Sequence, residues 1–281
     1  MIELRPDFLA EGFIFPEGLR WHDGSLWLTD VFDFTVTRIG MNGEKTTVLS
    51  GLPPRTNSMG FLPDGSMIVV ASVERKLLHF VNGDLNLYAD LADWAPGDLN
   101  DLAVDDAGRV YIGDFGYDHF AGAEKRETGL LLIDPDRSIR PVASGLEFPN
   151  GTAIINDGRT LVVAETWRGL LTAFDRAEDG SLSNKRLFAE LPGRNPDGIC
   201  ADAEGAIWVP SFNTAEVFRV LDGGRITHRA SMPGGTASCV LGGEDGLTLF
   251  AGCYAGTDEQ CMAGERRGQV HMLSVDVPGP S

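Results

Sequence analysis

Apolar residues in this chain come in short bursts, not long stripes. SLWLTDV, SMIVVAS, RVYIGDF, TLVVAET, AIWVPSF and LTLFAGC are the clearest, each rich in β-branched or aromatic residues and each placed after a glycine-bearing turn. Runs of that kind between turn residues predict β-strands. No long segment carries the 3.6-residue period of an amphipathic helix. The turn glycines are Gly24, Gly65, Gly108, Gly158, Gly205 and Gly246, at intervals of 41, 43, 50, 47 and 41 residues. Periods of that length with several strands in each predict a β-propeller.

Each unit parses into four strands. In the first, GLRWH is innermost, SLWLTDV returns, TVTRIG is third and KTTVLS is outermost. Five units are complete. The sixth has three strands, near 237–241, 247–252 and 269–275, and the N-terminal IELRPDF is free to supply its outer strand. That closes the ring and hides the sheet edges. The predicted fold is therefore all-β, a six-bladed propeller of four antiparallel strands per blade. No break in composition divides the chain, so residues 1–281 read as one domain.

Aligned on the turn glycines, the units share a second feature. Asn57, Asn100, Asn150 and Asp197 each stand eight residues before their glycine, and Glu17 stands seven before Gly24. The corresponding stretch of the sixth unit, TAS at 236–238, is small or apolar. This position begins each inner strand, and inner strands line a propeller's channel. The five side chains are thus expected at one level, facing one axis. Asn and Asp often cap turns, which explains any one of them but not the shared register. Two carboxylates facing each other repel, and a divalent cation removes the conflict. The set is all oxygen, which suits Ca²⁺ as the preferred ion, with Mg²⁺, Mn²⁺ and Zn²⁺ as alternatives. Asn57 lacks the preceding proline of the FPEG, FPNG and NPDG contexts, and a water-mediated role fits it equally well.

The segments FPEGLRW at 15–21, LNDLAVDDAGRVYIGDF at 99–115, FPNGTAIINDGRTLVVAET at 148–166 and NPDGICADAEGAIWV at 195–209 resemble the SMP-30/gluconolactonase/LRE family over nearly the whole chain. The resemblance implies a six-bladed propeller with a metal in its channel. It implies Glu17, Asn150 and Asp197 as metal ligands, Asn100 as a further contact to metal or substrate, and Asp197 as a participant in catalysis. Sugar-lactone members tend to carry Arg where this chain has Asp98, which turns the expectation away from gluconolactone-type substrates.

Composition narrows the class further. The formal charge is −18, from 41 acidic and 23 basic residues. That sign disfavours nucleic acid and anionic membrane surfaces as partners. The N-terminus shows no apolar signal-peptide region, no run is long enough to cross a membrane as a helix, and the four cysteines lack C-x-x-C spacing. Together these suggest free thiols in the cytoplasm. No G-x-S-x-G, P-loop or H-E-x-x-H motif offers rival chemistry.

Strand-and-return geometry places Phe32, Phe115, Tyr117, Trp167, Phe212 and Tyr254 on segments around the proposed ion, with His119 on one of the same loops, an aromatic rim suited to a ring-shaped or apolar substrate. Such aromatics equally often only cover the propeller top. The five expected to meet substrate are Phe115, Tyr117, His119, Trp167 and Phe212. With Asp98, Asn57 and Asn100 they form the expected substrate contacts. The function so expected is metal-dependent hydrolysis of a cyclic ester, with Asp197 as general base or nucleophile. The alternatives are phosphotriester or phosphofluoridate hydrolysis at the same ion, and a non-enzymatic propeller that the metal merely pins.

Overall fold

Gly24, Gly65, Gly108, Gly158, Gly205 and Gly246 all have φ between +68° and +81°. That left-handed conformation is cheap for glycine alone, so the repeated residue marks a repeated hairpin. Each hairpin joins the two inner strands of one blade. The computed structural model describes residues 1–280, and these form six sheets.

Blade 1 comprises Pro16–His22, Ser25–Asp30, Thr35–Ile39 and Lys45–Leu49, from channel to rim. Blade 3 starts with Leu99–Val104, blade 4 with Pro149–Ile155, and blade 5 with the short Cys200–Ala201. Blade 6 holds Gly235–Gly242, Thr248–Tyr254 and Gly268–Ser274, and its outer strand is Asp7–Phe13 from the N-terminus. The predicted ring closure is therefore present, with one refinement. Closure uses Asp7–Phe13, whereas Ile2–Glu3 adds a parallel fifth strand to blade 5, pairing with His228 and Arg229. The chain's first residues thus tie blade 5 to blade 6. The one helix among the described residues, Asp258–Met262, is too short to cross a membrane, and no helix there is long and apolar enough to do so.

Six apolar clusters fill the six seams between neighbouring blades. Phe188, Val162 and Phe218 join blades 4 and 5, for example, and Leu26, Leu28 and Phe250 join blades 1 and 6. Burial of this kind is worth roughly 25 cal/mol per Å² of apolar surface. It makes each blade a rigid wall for the next. A second device holds the loops between blades. Asp30, at the end of its strand, accepts the backbone N–H groups of Ile14 and Phe15, both at 2.8 Å. Asp114 accepts from Gly97 at 3.1 Å, and Glu165 from Glu147 at 2.8 Å. Each acid clamps the segment that leads into its own blade's inner strand, and so fixes the residues at the channel mouth.

Candidate metal centre

The register of the inner strands breaks where the candidate ligands stand. Pairing slips between Glu17 and Arg20, between Leu99 and Leu102, and between Pro149 and Thr152. Such bulges bend a strand and re-aim a side chain. Phe148, just ahead of Pro149 and Asn150, also holds φ at +54°, a costly conformation for an aromatic residue. Glycines complete the arrangement. A Cβ on Gly151 would lie 2.2 Å from the Ile199 nitrogen and 2.5 Å from the Asp197 carbonyl. The EG, NG and DG pairs therefore let adjacent inner strands touch around the axis.

Hydrogen bonds around the ring then orient the carboxamides. Asn57 Nδ2 donates to the Leu99 carbonyl at 3.1 Å, and Asn100 Nδ2 donates to the Pro149 carbonyl at 3.0 Å. Asn150 Nδ2 donates to Thr166 Oγ1 at 3.2 Å, which itself donates to the Pro196 carbonyl at 2.8 Å. A backbone carbonyl only accepts, so it fixes which end of the amide faces it. Asn57 and Asn100 spend their nitrogens on the next blade and Asn150 spends its own on a threonine of the same blade, and the oxygens are left over. Asn57 Oδ1, Asn150 Oδ1 and Asp197 Oδ1 are buried with no hydrogen-bond partner. Asn100 Oδ1 takes a long bond, 3.4 Å, from Asn57 Nδ2. Unpaired buried acceptors cost free energy, and here they gather beside two acids.

The backbone of Asp197 is held from three sides. Its N–H donates to the Pro210 carbonyl at 3.2 Å, its carbonyl accepts from Gly151 of blade 4, and Gly198 donates to Ala237 of blade 6 at 2.8 Å. Burial pushes the Asp197 carboxyl up to about 8, with Asp101 repelling it further; the Asn150 amide and the Gly198 N–H oppose the shift. Glu17 is pushed well above the usual carboxylate range, first by burial, then by repulsion from Asp197 and Asp101, with Arg20 only partly offsetting. The two acids thus resist sharing negative charge without a cation. Among the described residues no three His, Cys, Asp or Glu side chains gather at metal-cage spacing. The donor set is instead two carboxylates with carboxamides, hard oxygens that fit Ca²⁺ better than Zn²⁺.

Beneath the ring lies a feature the sequence reading passed over. Arg20 Nη2 reaches Asp101 Oδ1 and the Leu102 carbonyl, both at 2.7 Å, and Nη1 reaches the Leu19 carbonyl at 2.8 Å. Ser58 also donates to Asp101. Blades 1, 2 and 3 are thereby joined across the channel. The signal was present: Arg20 and Asp101 are charged residues inside inner strands. On the far side of Arg20 the channel widens into a cavity of about 960 Å³ that opens on the opposite face. A smaller cavity of about 390 Å³ lies between blades 1 and 2, against His22, Trp27 and Phe61. Neither is lined by Glu17, Asn150 or Asp197.

The expected rim divides into two groups. Phe115, Tyr117 and Phe148 form a buried cluster with Trp167 against it. Phe115 stacks on Phe148 at 4.3 Å, His119 sits 5.6 Å from Trp167, and Trp167 Nε1 donates to the Tyr117 hydroxyl at 2.9 Å. Phe212 stands apart, 5.9 Å from Phe15, which also meets Phe32. Asp98 is paired with Arg55 at 3.0 Å, and burial raises its pKa although Arg55 opposes the shift. The Arg55 guanidinium lies 3.9 Å over the Phe120 ring. Arg55, Phe15 and Phe148 were not anticipated as neighbours of the site.

Comparison with known proteins gives the family and the fold. The family model of the SMP-30/gluconolactonase/LRE-like region matches residues 15–252. Regucalcin of Danio rerio is 25% identical over 246 residues, covering 82% of this chain and 83% of that protein. Regucalcin of Gallus gallus is 30% identical over 164 residues, 56% of this chain and about half, 55%, of that one. Among solved structures, the calcium-binding protein regucalcin of Agrobacterium tumefaciens superposes with a TM-score of 0.83 at 20% identity, over 99% of this chain and 97% of its own. A gluconolactonase of Xanthomonas campestris gives 0.78 at 22% identity, over 96% and 89%. At such identities the superpositions establish the fold.

Proposed function

The chain belongs to the SMP-30/gluconolactonase/LRE-like family, and on that premise we propose that it is a metal-dependent hydrolase of a cyclic ester. One observation carries the reading. Asn57 Oδ1, Asn150 Oδ1 and Asp197 Oδ1 are buried without partners, next to a Glu17 carboxyl that burial and Asp197 together keep from ionising. A site with spare oxygen lone pairs and excess negative potential is built for a cation. Glu17, Asn150 and Asp197 would hold it, with Ca²⁺ the preferred ion. The likeness to a calcium-binding regucalcin and to a gluconolactonase supports the same assignment.

A bound divalent ion supplies electrostatic stabilisation to an ester carbonyl oxygen as charge develops there. The remaining chemistry belongs to side chains. Asp197 acts as general base toward the attacking water. Glu17 would supply the second negative charge that balances a doubly charged ion. Asn100, its nitrogen anchored on the Pro149 carbonyl, presents its oxygen to the ion or to substrate hydroxyls. Phe212 and Trp167, both part-exposed, follow the second strands of blades 5 and 4. Asp98 places a carboxylate, paired with Arg55, where a purely cationic group would favour acidic sugars. The substrate is accordingly a lactone with a ring or apolar portion.

The test is turnover of a lactone panel by metal-free protein, by protein with calcium restored, and by Asp197→Ala. The reading expects activity in the restored sample and loss in the other two. Equal turnover by Asp197→Ala would remove Asp197 from the chemistry, and chelator-resistant turnover would remove the ion.

A further inference from the structure

Two of the four cysteines meet at a place the hydrolase reading does not use. All four thiols are free, and the sulfurs of Cys200 and Cys239 lie 3.7 Å apart. Cys200 is on the innermost strand of blade 5 and Cys239 on that of blade 6. The two strands are laced together there: Cys239 N–H donates to the Gly198 carbonyl at 3.0 Å, and Gly198 bridges Ser238 in parallel. Both cysteines line the wide cavity on the channel's far face. Cys200 is part-exposed, whereas Cys239 is buried.

We infer that Cys200 and Cys239 are a peroxide-oxidisable dithiol, a modification site that forms a disulfide across the seam between blades 5 and 6. The step balances as two thiols and one hydrogen peroxide giving one disulfide and two waters. The Cys200 thiolate attacks one peroxide oxygen, the O–O bond breaks, and one water leaves with a sulfenic acid remaining on Cys200. The Cys239 sulfur then attacks the Cys200 sulfur, the S–O bond breaks, and the second water departs with the Cys239 proton. Exposure assigns the roles: the cavity delivers peroxide to Cys200, and Cys239 resolves. Burial, with the neighbouring Cys200 sulfur, pushes the Cys239 thiol well above its ordinary range, which keeps it from being the first to react.

The other two thiols are poor competitors. Burial pushes both Cys253 and Cys261 up to about 12, and the Cys261 thiol donates to the Ile14 carbonyl at 3.8 Å. The new bond would close a loop of 39 residues, a constraint on the unfolded chain that raises stability. It would do so at a seam already tied by Ile2–Glu3 and Asp7–Phe13. This inference stands independently of the hydrolase reading.

The experiment treats the whole reduced chain with hydrogen peroxide and counts thiols after denaturation. The expected count falls from four to two and returns to four with dithiothreitol. Cleavage by trypsin and glutamyl endopeptidase is expected to give one linked peptide joining 195–204 to 230–244, which separates Cys239 from Cys253 and Cys261. The melting temperature of the oxidised form is expected to rise by about 5 °C. Cys239→Ser should stop at a Cys200 sulfenic acid that dimedone traps, and Cys200→Ser should keep its three thiols under the same dose. A wild-type count that stays at four overturns the inference. So does a linkage through Cys253 or Cys261, or thiol loss in Cys200→Ser as fast as in the wild type.

Discussion

Arg20 Nη2 lies 2.7 Å from Asp101 Oδ1, directly beneath the ring of candidate ligands. The pair does two things. It partly offsets a carboxylate that repels Glu17 and Asp197, and it crosses the channel between the ring and the far cavity. Breaking a buried pair by removing one partner costs about 3–5 kcal/mol, because the other charge is stranded. Arg20→Met should therefore destabilise the fold by about 3 kcal/mol in urea unfolding. Arg20→Met combined with Asp101→Asn should recover much of that loss. A simple sum of the two single effects would show that the pair is not coupled.

The raised carboxyls make the stability of the metal-free chain pH-dependent. Asp197 sits at about 8 when folded, against about 3.9 in an unfolded chain. Between those values the folded state binds more protons than the unfolded, so stability falls as pH rises through that window. Glu17 acts in the same direction. The contribution is fully present below about pH 4 and is lost as pH passes 8. Calcium needs both acids ionised, so its stabilisation should run the opposite way. The rise in melting temperature on adding calcium should be larger at pH 8 than at pH 5, in a thermal shift series at fixed salt. A calcium-induced shift that does not change with pH would contradict this.

Gly151 tests the packing of the ring. Its Cβ would sit 2.2 Å from the Ile199 nitrogen, between two inner strands that have no slack. Gly151→Ala should cost about 3 kcal/mol. If the fold survives, calcium affinity should fall at least tenfold, because the substitution pushes Asp197 away from Asn150. Titration calorimetry on the folded variant measures this, and unchanged affinity would mean that the two side chains do not share an ion.

Phe212 is the part of the rim best placed to touch substrate, since Phe115 and Tyr117 are buried in their own cluster. Phe212→Ala should raise KM for a lactone with an apolar tail several-fold and leave kcat within about twofold, because it binds substrate and transition state alike. Tyr117→Phe removes the acceptor for Trp167 Nε1 and should act on stability more than on KM.

Much of this was legible in the sequence, for a physical reason. A propeller repeats one hairpin, so the turn glycines and the residues a fixed distance ahead of them reappear in every unit. That register alone singles out Glu17, Asn57, Asn100, Asn150 and Asp197 as ring candidates. The clasps made by Asp30, Asp114 and Glu165 could not. Their partners are backbone N–H groups of irregular loops, and no pattern of side chains announces those. Arg20 and Asp101 were missed for a different reason. Their pairing crosses three blades, and closeness across an axis is invisible along a chain. The N-terminus was half right: Asp7–Phe13 closes blade 6, but the pairing of Ile2–Glu3 with blade 5 depends on a register of two residues.

A crystal structure of the chain grown with millimolar calcium tests the central claim most directly. The account predicts a single peak on the channel axis, bonded to oxygens of Glu17, Asn150 and Asp197 at about 2.3–2.6 Å, and no such peak in Glu17→Gln/Asp197→Asn. Calcium bound elsewhere, or a ring left empty at that concentration, would contradict it.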